Sequence, residues 1–239
     1  VFGFPTGSST KLYRISGFNF NPASDFMVWT CPAGGCSGTI SQFRMDHNSF
    51  ALGAEAHSIV LGENTSTQYV QGVIDHNTFT GSSSHEPLYF LGAQDPSPLA
   101  NPQGTSKNMF FEDNTITVTT MTNAGLGAVD GWGAGSNLVF RYNTVTNSLV
   151  TAHELGHNGG FQNFEIYNNH VIANSSSTYP NGYRLIHHQG SGTGMYFNNT
   201  LTAVGTMDSS AISITAKLCG LMWNRLSLLS SNGTRFCYR

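Results

Sequence analysis

One eight-residue phrase recurs along this chain of 239 residues, and it leaves few folds open. Its copies are FRMDHNSF at 43–50, GVIDHNTF at 72–79, MFFEDNTI at 109–116, LVFRYNTV at 138–145, FEIYNNHV at 164–171 and GMYFNNTL at 194–201. Aligned on Asn48, Asn77, Asn114, Asn143, Asn169 and Asn199, every copy has an apolar residue three positions earlier: Met45, Ile74, Phe111, Phe140, Ile166, Tyr196. Another stands two positions later: Phe50, Phe79, Ile116, Val145, Val171, Leu201. Apolar side chains at period two on either side of a fixed Asn predict a strand, a sharp turn and a second strand.

The anchors lie 29, 37, 29, 26 and 30 residues apart. A β-type repeat of this length predicts a solenoid, because one coil cannot bury its own inner face and stacked coils complete a shared core. Strands of neighbouring coils then sit ~4.8 Å apart. The Asn residues would stack as a ladder, each amide donating and accepting between coils while satisfying the turn backbone. Reading them as ligand contacts leaves their fixed register unexplained. A third strand per coil is expected between phrases, near 58–61, 88–91, 127–130, 150–153, 184–187 and 211–215.

This phrase, carried from about Tyr13 to Thr215, resembles that of the right-handed parallel β-helix proteins of the pectate-lyase-like superfamily. The resemblance implies an all-β chain, with residues 1–215 forming a right-handed parallel β-helix of about seven coils and an Asn ladder. It speaks for fold more than for function, since that architecture hosts many activities. Residues 13–20 would form the first coil, with Gly17-Phe18 in place of the Asn turn. Residues 94–104, rich in Pro and Gly, would be a projecting loop suited to recognition. After Thr215 the phrase stops, so 216–239 is expected to be a C-terminal cap or tail, a short helix being one form of it. A partner chain or a further segment covering the solenoid ends stays open.

Only 10% of residues are charged and the net charge is −3, which argues against the basic clusters that nucleic acid or an anionic membrane requires. No apolar run approaches the length that spans a bilayer. The chain opens at Val1 with neither Met nor a signal peptide, and so reads as a processed product or an excerpt. Cys31 and Cys36 enclose a short Pro-Gly loop, and Cys219 and Cys237 lie close together near the other end. Two local disulfides in an extracellular protein is the simplest reading. A zinc site of all four thiolates would need the two ends of a rod to meet.

Stacked on one another, the third strands put Asp130, His153 and His187 in one column, with neighbours ~5 Å apart. Alternation aims all three outward if Val129, Ala152 and Ile186 point in. A carboxylate and two imidazoles at that spacing suit proton transfer on a sugar, with Arg184 steadying developing charge and Glu154 as a supporting carboxylate. Trp132 and Tyr183 are placed to stack on a sugar ring. Glu63, Gln94 and His188 are candidates for the margins of the groove, and His57 borders it. The bland alternative is a solvated polar face with three such residues aligned by chance. His47 and His76, with Asp46 and Asp75, recur beside the ladder and read as outward structural residues. Arg14, Arg44 and Arg141 read as solvated.

Residues 153–157, HELGH, match the HExxH zinc signature. That motif needs a helix to bring both His to one face, and Gly156, Gly159 and Gly160 oppose a helix. In a strand, His153 and His157 would stand ~13 Å apart, too far to share an ion. Zn²⁺ is therefore disfavoured. Ca²⁺ stays open, with Asp130 alone behind it where several oxygen ligands are wanted, and no cofactor is assigned. Together with the resemblance, these residues lead to the expectation of an enzyme that binds polysaccharide along an exposed parallel-strand face and cuts it by lyase or hydrolase chemistry. The other reading is a non-catalytic glycan-binding surface, adhesion or phage-spike module.

Overall fold

A computed structural model describes residues 4, 7–21, 26–32, 35–53, 57–62, 67–83, 86–90, 104–121, 127–131, 136–152, 161–174, 186–188, 193–204, 212–214, 219–229 and 237–238. For residues 151–152, 186–188 and all those beyond 202, the description is of backbone alone. In chain order the strands begin with β1 (Tyr13–Ser16), β2 (Asn19–Phe20), β3 (Phe26–Trp29), β4 (Ser37–Asp46), β5 (Ser49–Leu52), β6 (His57–Leu61), β7 (Thr67–Asp75), β8 (Thr78–Ser83) and β9 (Leu88–Phe90). There follow β10 (Met109–Glu112), β11 (Thr115–Met121), β12 (Val129–Gly131), β13 (Ser136–Arg141), β14 (Thr144–Thr146), β15 (Val150–Ala152), β16 (Phe161–Tyr167) and β17 (His170–Asn174). The last are β18 (Ile186–His188), β19 (Thr193–Val204), β20 (Ile212–Ile214), β21 (Cys219–Leu229) and β22 (Cys237–Tyr238).

Apart from the antiparallel pair β21–β22, strands pair in parallel with their counterparts one coil on, so the chain is an all-β parallel solenoid, with no helix among the described residues. The first wall is β1-β4-β7-β10-β13-β16 and the start of β19, and the second is β2-β5-β8-β11-β14-β17 and its end. The third wall, β3-β6-β9-β12, is where the expectation of about seven coils is corrected. Only about four turns share an unbroken third wall, and β15-β18-β20 form a sheet of their own. The break coincides with the shortest coil, 26 residues from Asn143 to Asn169. There the Ala128 N–H donates to Leu149 O at 2.6 Å, and a Cβ on Gly127 would meet that oxygen at 2.2 Å. β12 and β15 still lie next to each other at this step, without a strand ladder between them.

The two apolar columns read from the phrase line the core. Ile15, Met45, Ile74, Phe111, Phe140, Ile166 and Tyr196 are register partners on the first wall, all buried. Phe20, Phe50 and Phe79 stack face to face on the second wall, at 4.6 Å for each step. Like sits on like because each coil repeats the geometry of the last, so flat rings pack at the strand spacing.

The Asn ladder forms as expected. From Asn48 to Asn169, each backbone N–H and Nδ2 donates to the Oδ1 of the next Asn, at 2.9–3.2 Å. Each Nδ2 also donates back to a first-wall carbonyl of the previous coil, as Asn114 does to Ile74 O at 2.8 Å. The residue before each ladder Asn is left-handed: His47, His76, Asp113, Tyr142, Asn168 and Asn198 have φ between 51° and 56°. Gly17 holds that place in the first coil at φ 78°, and the Phe18 N–H donates to Asn48 Oδ1 at 3.0 Å.

Outward side chains of the first wall form charge networks. Arg14 clasps Asp46 through Nε at 2.8 Å and through the terminal nitrogen at 2.6 Å, while Arg44 bridges Asp46 and Asp75. The hydrogen bond from Arg14 holds the Asp46 carboxyl well below the usual range. Farther along, Arg141 joins Glu112 at 2.5 Å and the Tyr167 hydroxyl at 2.7 Å. The expected projecting loop ends against this wall: the Gly104 N–H donates to Glu165 Oε1 at 2.6 Å, so that end is tied down, while 94–103 lie outside the described residues.

Beyond Thr215, β21 continues the parallel stack on β19, with Asn199 opposite Asn224. A one-residue register shift between Phe197 and Asn199 marks a turn shortened by one residue. Cys31 and Cys36 are bonded, with Cα atoms 5.9 Å apart. Cys237 lies opposite Arg225, six positions along β21 from Cys219. That is roughly 20 Å of extended strand, against the Cα spacing of about 7 Å or less that a disulfide bridges.

Candidate functional site on the third wall

Val28, Ile59, Leu88 and Val129 point into the core and are partners in register. Alternation therefore sends the next column, Trp29, Val60, Tyr89 and Asp130, to the outer side. By this alternation Asp130 faces away from the core, but it does not lie on a bare solvated face. It is 1% exposed, and its Oδ1 accepts the Gly131 N–H at 2.8 Å. Val60, in the same outer column, is 0% exposed, while Trp29 and Tyr89 are partly exposed, so this face is covered in part.

The proposed column through Asp130, His153 and His187 is also corrected. Asp130 belongs to the sheet that ends at β12, whereas His187 belongs to β18 in the next sheet. His187 pairs with Thr151 and His188 with Ala152, so the register partner of His187 is Thr151. The structure brings Asp130 into register with Tyr89 instead. His153, Glu154, Arg184, Trp132, Tyr183, Glu63 and Gln94 lie outside the described residues, as does the rest of the HExxH segment. The chain enters that segment from strand β15.

What does converge here is a group of which sequence reasoning had singled out only His57 and Asp130. The His57 ring lies flat on Tyr89, with centroids 4.2 Å and planes 6° apart. Its Nδ1 is 3.2 Å from Glu86 O and 3.3 Å from Glu86 Oε2. Glu86 is 1% exposed, so its carboxylate and the imidazole meet in a low-dielectric setting where their interaction is strong. One coil before His57, the Trp29 Nε1–H donates to Gly62 O at 2.8 Å, which fixes the indole at the margin. Glu86 and Tyr89 were legible in principle, because laying the third strand at Leu88 over that at Ile59 sets Tyr89 beside Val60 and Glu86 beside His57. Chemically the arrangement offers two buried carboxylates, one imidazole and two aromatic rings over four adjacent coils. Carboxylate-backed imidazole moves protons, and aromatic faces take apolar sugar faces.

No group of three or more His, Cys, Asp or Glu side chains among the described residues is arranged to hold a metal ion. No helix among them is long and apolar enough to cross a membrane. Fold and site together define a parallel β-solenoid with an Asn ladder and a buried acid–imidazole–aromatic group on its third wall. Comparison with family models, curated proteins and solved structures gives no match for the chain.

Proposed function

We propose that this protein is a secreted, carbohydrate-active enzyme of the pectate-lyase-like kind, which binds polysaccharide at the third wall and cleaves it by elimination or hydrolysis. The observation that carries the reading is His57, stacked on Tyr89 and held 3.3 Å from the Glu86 carboxylate, with Asp130 the register partner of that same tyrosine. In this reading Tyr89 and Trp29 seat the sugar, the His57–Glu86 pair moves the proton, and Asp130 orients the backbone at Gly131. The disulfide at Cys31–Cys36 supports an oxidising compartment.

A non-catalytic glycan-binding module is the second reading. The burial of Asp130 and its bond to the next backbone N–H favour it, since both suit a structural carboxylate. Incubation with a panel of neutral and acidic polysaccharides separates the two. Ultraviolet absorbance reports unsaturated products of elimination, and new reducing ends report either reaction. Cleavage that falls at least ~100-fold in Glu86→Gln, in line with loss of a general acid–base, supports the enzyme. Binding without cleavage, unchanged in Glu86→Gln, supports the module.

A further inference from the structure

We propose that the outer face of the second wall is an ice-binding surface, separate from the site on the third wall. Phe79, Ile116 and Val145 are buried in the core. Alternation therefore turns their neighbours outward: Thr78 and Thr80, Thr115 and Thr117, Thr144 and Thr146. The pairs are register partners on adjacent coils, Thr115 lying between Thr78 and Thr144, and Thr117 between Thr80 and Thr146. They form a grid of two columns over three coils. Its intervals are ~4.8 Å from strand to strand and ~6.7 Å between alternate residues of one strand. The register shift of β11 falls between Val118 and Thr120, past the edge of the grid, so the grid itself is regular. Thr78, Thr80 and Thr115 are exposed, and the other three are half-buried by one another's coils.

From β2 to β19, no Asp, Glu, Lys or Arg faces outward on this wall among the described residues. The first wall differs, with Arg14, Arg44 and Arg141 each held by a carboxylate. No aromatic ring faces outward across the grid either. The grid thus lacks the ring faces that seat sugars and the charged or bidentate groups that hold anions and peptides. What it offers is one group, a hydroxyl beside a methyl, repeated at fixed points. Hydroxyls anchor first-shell water, and the methyls between them leave that water to bond mainly with itself. The two intervals of the grid are close to the two repeats of oxygen atoms on a prism face of hexagonal ice. Liquid water has no repeat to match, so fit to the grid distinguishes the crystal from the liquid. Strand pairing and the packed core beneath fix the threonines in advance, which spares adsorption the cost of ordering them. Beyond Thr144 and Thr146 the rows meet His170 and Ile172, and Thr200 and Thr202 resume them one coil on.

The test is slow growth of an ice shell on a cooled probe in a dilute solution of the protein. Protein taken into the ice is measured against protein left in the liquid, with serum albumin as a protein that ice excludes. The wild-type chain is expected to enter the ice. Thr117→Tyr, on the middle coil, and Thr80→Tyr, at an exposed corner, are expected to fall to the albumin level with thermal midpoints unchanged. Gln42→Tyr, at an exposed position of the first wall, is expected to enter the ice as the wild type does. The proposal is overturned if the wild type is excluded from ice, or if folded Thr117→Tyr and Thr80→Tyr are both retained. It is equally overturned if sedimentation shows a dimer that Thr117→Tyr dissociates, because the face would then belong to a second copy of the chain.

Discussion

Asn114 donates twice to Asn143: its backbone N–H reaches the Asn143 Oδ1 at 3.0 Å, and its Nδ2 reaches the same atom at 3.2 Å. Asn114 Oδ1 in turn accepts both donors of Asn77. Asn114→Ala therefore strands the Asn77 backbone N–H and takes a donor from the Ile74 carbonyl in a buried site, while Asn77 Nδ2 keeps Met45 O and Asp75 O. Each buried group left unsatisfied costs about 1–3 kcal/mol, so a loss of about 3 kcal/mol is expected in the denaturant midpoint. A loss below about 1 kcal/mol, the net worth of a single ordinary hydrogen bond, would contradict the ladder.

Gly194 lies opposite Phe164, whose ring atoms would meet a Cβ there at 2.3–2.4 Å. Phe164 is buried and has little room to yield. Gly194→Ala is expected to destabilise by about 1–3 kcal/mol, as overpacked cores do. Combining it with Phe164→Leu should recover part of that loss in a double-mutant cycle. Strictly additive losses would mean that the ring does not fill the space over this glycine.

The turn before the ladder is a third point of test. Asp113 is exposed at φ 53°. A left-handed backbone costs a residue with a Cβ roughly 1–2 kcal/mol relative to glycine. Asp113→Gly should therefore be more stable than Asp113→Ala by about 1 kcal/mol, read as the difference in thermal midpoint. Equal midpoints would argue against a left-handed turn at this position.

The first two walls were legible because their apolar columns and turn Asn recur at fixed offsets, and stacking like on like follows directly from that. Phe50 and Phe79, two positions past their anchors, needed no further information to be placed face to face. The third wall was harder to read, because no fixed residue marks its register. His187 was set against His153 by resemblance of short segments, and the paired strands place it against Thr151. β21 went unread although Leu221 and Leu226 stand three before and two after Asn224 as in the phrase, and its turn, one residue shorter, sets Met222 opposite Tyr196. Alternation gives Asp130 a side of its strand, but its burial depends on what covers the wall, which alternation within a strand does not encode.

The claim on which the rest depends is that sugar binds at the third wall. A crystal structure of the protein soaked with oligosaccharides from any polysaccharide it binds tests this directly. The account predicts a sugar ring at the His57–Tyr89 stack, with a hydroxyl or glycosidic oxygen in hydrogen-bond reach of the His57–Glu86 pair. Sugar bound only along the first or second wall, with His57 and Tyr89 untouched, would contradict it.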